Sequence, residues 1–470
     1  MFQKLVTKYW LTIHLVVLLL SSWVGLFSGQ NTMGVLSLWL AVFVLHMLML
    51  APTLKRGETL AEGRHRVLLQ FSRDPVLYIG GALILFALAQ WLNSGCKLVY
   101  HMSAKIWRYA APPMSGLPYS VDTASAMRHL MLVIALVVLA LCLRVGVGRS
   151  SRMMFLLIMS ACSGFLALGT FALALTGNAF YQTCAITPSA TSSGVFFSFW
   201  MFVGIGVFLD AIGNSREWPW LAYFASVLSN LVGVLYFASE YVLVIAGWGL
   251  LVVAIYSMFY VRSIGLRGLA SLRFIFLFAL GVSICIGVVG WVPAQQPLLT
   301  KVVQLPQFAT RFEQLMETKT FRSKLVFKIW DEAPWTGVGP GGYSRYMGFF
   351  LRDQDWKNVQ PDSPMVLNDA LQFSCENGII GSILLAAILI VLVSPLFYHI
   401  RMLWIQTAHA QALFLADLSP AVVSGVIGVL MCVGSSFFAS PFQSSGLFLS
   451  VFSVLAVLPG TLVYAKKKAK

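Results

Sequence analysis

The chain has 470 residues, 59% of them hydrophobic and only 10% charged, with a formal net charge of +15. A soluble domain carries about 25% charged residues, so this composition excludes a water-soluble enzyme and points to a polytopic membrane protein. Its cysteines stand singly with no CxxC pair, which leaves no sequence signal for a zinc site or a dithiol redox centre.

A spanning helix needs roughly 20 apolar residues. Twelve such segments are predicted, at 10–28, 34–53, 75–93, 126–145, 153–176, 194–213, 218–238, 240–261, 272–292, 378–399, 420–440 and 444–464. The first lacks a clear small-residue cleavage site and reads as a retained span, not a signal peptide. Between Trp218 and Val261 the only charged residue is Glu240. One unbroken helix there would run about 66 Å, twice the hydrocarbon thickness, so a turn is expected at "FASEY", residues 237–241.

Twelve spans put both termini on one side, and the basic residues choose that side. With the termini inside, the inner segments hold 19 of the 32 Lys and Arg but only 6 of the 17 acids. Both ends are therefore expected in the cytoplasm. The positive excess reads as a topology signal and a collar for membrane lipids, and no nucleic acid is expected as a partner.

Two outer connections are long, 94–125 and 293–377. The second holds nine acids and nine Lys or Arg, and its stretch 310–330 has Phe312, Leu315, Met316, Leu325 and Ile329 at helical spacing. The expected organisation is three-part: membrane helices one to nine over 1–292, an outer subdomain carrying the site over 293–377, and helices ten to twelve with a basic tail over 378–470.

Within that subdomain, "GVGPGG" (337–342) spells Gly-x-Gly-x-x-Gly. A dinucleotide turn follows a buried strand and opens a helix. Here a helical pattern precedes the glycines, Pro340 sits inside the motif, and no Lys-Ser/Thr follows, so a nucleotide site is not expected. Two readings remain: a tight multi-glycine turn, or glycines that let amides and neighbouring side chains approach a phosphate or sugar.

The surroundings extend the motif. Arg322, Trp330, Pro334, Gly337, Gly339, Gly341 and Tyr343 are followed by Asn368, Leu371, Gln372, Glu376, Gly378 and Gly381 at the entrance to the tenth span. Over 311–378, in residue type, order and topological placement, this resembles the O-antigen ligase and O-antigen polymerase family of bacterial envelope proteins. Two positions depart from that pattern. Leu367 stands where family members often carry His, and Ser239–Glu240 where they often carry Ser-Arg.

The resemblance implies an all-α, GT-C-like polytopic protein of the bacterial inner membrane with its active site on the periplasmic face. The implied reaction is inverting, metal-independent transfer of a glycan from undecaprenyl pyrophosphate to an acceptor hydroxyl, on a second glycan or on a lipid A core. No cofactor is implied, and ligase and polymerase stay open as alternatives. Such a leaving group needs a fixed cation, and guanidinium matches phosphate bidentately. Arg322 is the leading catalytic candidate and Arg311, about three helical turns away on the same expected helix, a substrate-binding one. Lys324, Lys328 and Arg345 stand behind them.

Asp369 and Glu376 are the carboxylates expected for acid–base work, with Asp362 in reserve. Asp369 has a competing role as the cap of the tenth span. Substrate contacts are expected from Gly337, Gly339, Gly341, Tyr343, Asn368 and Gln372. Trp330, Trp335, Tyr346 and Trp356 would stack on sugars or form an interfacial belt. His101 and His129 are the outer histidines, and no cluster has metal-ligand spacing. A disulfide between Cys96 and Cys184 is a further expectation, since the outer compartment is oxidising. The competing functions are a membrane transporter and a non-catalytic binder of a lipid-linked glycan.

Overall fold

The computed structural model describes residues 33–50, 52, 54, 57–102, 106–146, 149–175, 190–213, 219–263, 308–351, 366–410 and 418–461. Thirteen α-helices are labelled here in chain order: α1 (Met33–Leu50), α2 (Leu60–Arg73), α3 (Pro75–Leu92), α4 (Thr123–Leu141), α5 (Arg149–Leu175), α6 (Ala190–Gly213), α7 (Pro219–Phe237), α8 (Glu240–Ser263), α9 (Phe308–Trp330), α10 (Gly342–Phe350), α11 (Asp369–Ala410), α12 (Pro420–Ser436) and α13 (Ser445–Val457).

Six of these stretches are long and apolar enough to cross a membrane: Pro75–Leu92, Thr123–Gly146, Arg152–Leu173, Ser192–Ile212, Glu240–Val261 and Asp369–Ile405. Four shorter apolar helices accompany them, at Ser37–Leu50, Tyr223–Phe237, Pro420–Ser436 and Ser445–Thr461. The chain is a multi-pass membrane protein. Ten of the twelve expected spans coincide with these helices, while 10–28 and 272–292 lie outside the described residues.

Local chemistry sets the helix ends. Asp74 caps α3 by accepting from Val76 N at 2.9 Å, with Pro75 pre-set at the first helical position. Asp122 caps α4 through Ala124 N and Ser125 N. The long apolar run breaks within the expected "FASEY": α7 stops at Phe237 and α8 starts at Glu240. Gly194 permits that break to pack, because a Cβ there would lie 2.4 Å from Ala238 Cα.

α6 lies at the centre, against α5, α7 and α12, and presents Phe196, Phe197, Phe199, Trp200 and Phe202 as fully buried rings. Polar side chains join three helices there, with Ser160 Oγ donating to Trp200 O of α6 at 3.1 Å. Ser160 shares a hydrogen bond with Ser226 at 2.8 Å, Ser163 donates to Asn230 Oδ1 at 2.7 Å, and Asn230 Nδ2 reaches the carbonyls of Ser160 and Ser226. In an apolar medium such bonds hold helices together.

One end of the bundle is held by an arginine. Arg144, in a π-helical turn (Cys142–Gly146) that follows α4, pairs with Asp74 at 2.9 Å and donates to Val391 O at 2.8 Å. Pro395 has no N–H to give that carbonyl, so Arg144 replaces the missing helical bond of α11.

The described residues are mostly helical, as expected, with one small two-stranded sheet beside the helices. The outer connection 94–125 contains an antiparallel hairpin, β1 (Leu98–His101) with β2 (Ile106–Tyr109), paired Leu98 to Tyr109 and His101 to Ile106. "LVYH" and "IWRY" are rich in β-formers and too short for a helix. Beside the Arg144 turn, α2 is an amphipathic helix with a Thr59–Glu62 capping box.

Candidate functional site

The opposite end, where the glycine-rich segment lies, is organised by a break in α11. Gly378 has φ 65° and ψ −169°, a backbone region that only glycine enters readily. The break separates a short outer segment, Asp369–Asn377, from the apolar rod that follows. At 1.5 Å per residue the whole helix would be about 63 Å, about twice a hydrocarbon core, so it is longer than one crossing requires.

A broken helix strands backbone groups, and here the "PWTGVGPG" loop takes them up. Ile379 N and Ile380 N donate to the carbonyls of Pro334 (3.0 Å) and Trp335 (3.1 Å). Val338 N and Gly339 N donate to the carbonyls of Cys375 (3.1 Å) and Glu376 (2.9 Å). The two backbones touch, since a Cβ on Gly337 would lie 2.3 Å from Glu376 O and one on Gly378 would lie 2.4 Å from Trp335 O. Gly339 abuts the backbone of Ser120 in the same way. The glycine-rich loop and the "ENGIIG" segment are two halves of one joint.

The amides of that loop are therefore occupied. Gly337 N donates to Ala333 O, Gly342 N to Gly339 O, and Pro340 has no N–H. Gly341 caps α10 with φ 74° and no side chain of its own, and the Glu376 carboxyl faces the N–H groups of Gly341 and Tyr343 at that helix start, which favour its charged form. In this conformation Gly337, Gly339 and Gly341 serve close packing, and none of these amides is offered to a phosphate.

Gln372 and Asn368 are likewise engaged. Gln372 Nε2 donates to Glu376 Oε1 at 3.3 Å, and its Oε1 accepts from Val366 N. Asn368 Oδ1 accepts from Leu371 N at 3.2 Å, so Asn368, not Asp369, caps α11. Leu367 is the non-glycine with positive φ (61°) among the described residues. A left-handed leucine costs about 1–2 kcal/mol. It aims Asn368 at the helix start.

Asp369 is buried, 7% exposed, and its Oδ2 accepts from Phe442 N at 3.0 Å. Its Oδ1 has no hydrogen-bond partner in the protein. Burial lifts this carboxyl from the usual range to about 7, against the opposing bond from Phe442. Glu376 is also lifted by burial to about 7, against its bonds from Gln372, Gly341 and Tyr343. A carboxyl titrating near neutrality is suited to accept a proton.

Arg322 is 4% exposed, and burial depresses its pKa while the neighbouring Tyr343 opposes the shift. Tyr343 is fully buried, its hydroxyl has no hydrogen-bond partner in the protein, and burial raises its pKa to about 12. Tyr343 belongs to a small core with Leu325, Val326, Ile329 and Cys375. Arg311 falls on α9, whereas Lys324 is exposed on it. Lys328 is also exposed, and Arg345 pairs with Asp122 at 3.4 Å. Trp356 and Asp362 lie outside the described residues, as does Cys184, so the expected disulfide is not among what the structure describes. Cys96 is buried, its thiol towards Ser120 O.

The other long outer connection reaches the same place. Asn93 pins it by bonding the backbone of Met114, Leu117 and Pro118. Tyr109 packs on Tyr346 and Phe349, and His129 meets Phe373 at 6.3 Å between ring centroids. Gln90, fully buried at the end of α3, donates to the carbonyls of Thr336 and Glu376 and so clamps the joint from below.

Lys319, absent from the sequence reading, lies over Phe437 and Phe438 at 5.7 and 5.2 Å, one helical turn before Arg322. Gln90 and Asn93 had a legible signal: amides in the last turn of an apolar span. Lys319 and the turn after α12 had none. On the face of α11 away from Asp369, an apolar cavity of about 380 Å³ is lined by Val326, Phe327, Trp330, Leu371, Ile379 and Ile383. Among the described residues no group of three His, Cys, Asp or Glu is placed to hold a metal. No protein-family model matches the chain, and no curated protein matches it.

Proposed function

We propose that this protein transfers a glycan from a polyprenyl-pyrophosphate carrier, undecaprenyl pyrophosphate, to an acceptor hydroxyl at the outer face of the inner membrane. The observation that carries the reading is Asp369. It is a buried carboxyl titrating near 7 with one oxygen unpartnered in the protein, on the same outer subdomain as the buried guanidinium of Arg322. The acceptor hydroxyl attacks the anomeric carbon opposite the pyrophosphate. The carbon–oxygen bond to pyrophosphate breaks and its electron pair leaves with the phosphate, whose charge Arg322 takes up. The hydroxyl proton passes to Asp369. The apolar cavity between α9 and α11 suits the hydrocarbon chain of such a carrier.

The test is a transfer assay in nanodiscs with a polyprenyl-pyrophosphate-linked glycan and a glycan acceptor, following release of the lipid pyrophosphate. Arg322→Lys keeps the charge and loses the bidentate fork, so turnover should fall about 10- to 100-fold with normal expression. Wild-type turnover by Arg322→Ala removes the assignment.

A further inference from the structure

The turn between the last two membrane helices is built like a binding site. It reads "ASPFQSSG", 439–446, and contains the 3₁₀ turn Pro441–Gln443. Ser440 stands at the N-cap of that 3₁₀ turn and Ser444 at the N-cap of α13. A serine at an N-cap ordinarily accepts from an amide two or three residues on. Neither does so here. Ser440 is 5% and Ser444 3% exposed, and neither hydroxyl has a hydrogen-bond partner in the protein. Between them Phe442 N holds Asp369 Oδ2, which brings the unpartnered Oδ1 to the same turn. Three buried polar groups from two elements thus meet with bonding capacity unspent. The neighbouring Gln443 and Phe437 are exposed, so the turn lies at the surface of the protein and its three polar atoms just beneath it.

The chemistry selects the class. A carboxylate repels phosphate, so the pyrophosphate does not fit against Asp369. A sugar hydroxyl does fit, because one group donates to Asp369 Oδ1 while its oxygen accepts from a serine. We infer that Ser440, Ser444 and Asp369 form the subsite for the acceptor sugar, with Ser440 and Ser444 as binding residues that orient its reacting hydroxyl. This rests on the transferase reading above.

Two measurements test it. In saturation-transfer NMR on the full chain in nanodiscs, a phosphate-free oligosaccharide is one probe and inorganic pyrophosphate the other. Ser440→Ala with Ser444→Ala should weaken the oligosaccharide at least 10-fold and leave pyrophosphate unchanged. In the transfer assay the same pair should raise the acceptor KM about 10-fold and leave the donor KM unaltered. Thermal stability should hold or rise, because a buried hydroxyl without a partner in the protein is removed. Oligosaccharide binding unaffected by the serines, absent from the wild type, or a loss that falls on pyrophosphate instead, overturns the subsite. A protein that binds the oligosaccharide through the serines yet transfers nothing would leave the subsite standing and remove the transferase.

Discussion

Two buried polar clusters of this protein behave in opposite ways. Between α5, α6 and α7, Ser160, Ser163, Ser226 and Asn230 satisfy one another, with bonds of 2.7 to 2.9 Å. At the outer end, Asp369 Oδ1, Ser440 Oγ, Ser444 Oγ and Tyr343 Oη are buried without a hydrogen-bond partner in the protein. Other buried atoms share that state, among them Arg152 Nε, Trp200 Nε1, Ser424 Oγ and Ser435 Oγ, but Asp369 Oδ1, Ser440 Oγ and Ser444 Oγ belong to one turn and the helix start bonded to it. An unsatisfied buried polar group costs about 1–3 kcal/mol. The closed cluster is what helix packing requires. The open one opposes stability, and such a concentration is expected where binding requires it.

The severest way to break this comparison is at the joint that carries the open cluster. Gly378→Ala places a Cβ against Trp335 O and forces a glycine-only backbone, a cost of about 3 kcal/mol or more. Hydrogen exchange should show 331–343 and 369–377 losing protection while α5–α7 keep theirs. Uniform loss across both regions would mean that the two clusters fold as one unit.

Asn230→Ala acts on the closed cluster alone. It removes the partner of Ser163 Oγ and a second bond to two helical carbonyls, and should lower stability by about 1–3 kcal/mol while transfer per folded molecule is retained. If transfer falls in proportion with Asp369→Asn, the closed cluster is also part of the site.

A smaller and sharper effect concerns pH. The folded pKa values of Asp369 and Glu376 are raised to about 7, above their ordinary carboxylate values. The folded state therefore binds more protons than the unfolded state between about pH 4 and 7, and stability falls as pH rises through that window. Transfer should run the other way, rising as Asp369 ionises near pH 7. Asp369→Asn should flatten its share of the stability slope and cut transfer about 100-fold or more. Melting curves at pH 5 and pH 8, beside transfer rates at the same values, check both signs. Parallel trends in stability and rate would remove Asp369 as the base.

The sequence by itself determined the membrane character, ten helices where apolar runs predicted them, and the break at Ala238–Ser239. These follow from hydropathy and length, which are local and additive. It also singled out the "GVGPGG" and "ENGIIG" segments, though not their relation. Only the tertiary structure decided that they form one joint, because a backbone-to-backbone contact between residues 40 positions apart leaves no periodicity to read. The same holds for Glu376, which looked like a base and faces the start of α10, and for Asn368, which looked like a sugar ligand and caps α11. Asp369 kept its place as the candidate base, while its partner, Phe442 N, lies 73 residues away. Ser440 and Ser444 read as ordinary turn serines. What set them apart is the absence of the capping bonds that their positions offer, and a sequence records the residue but not the bond it declines to make.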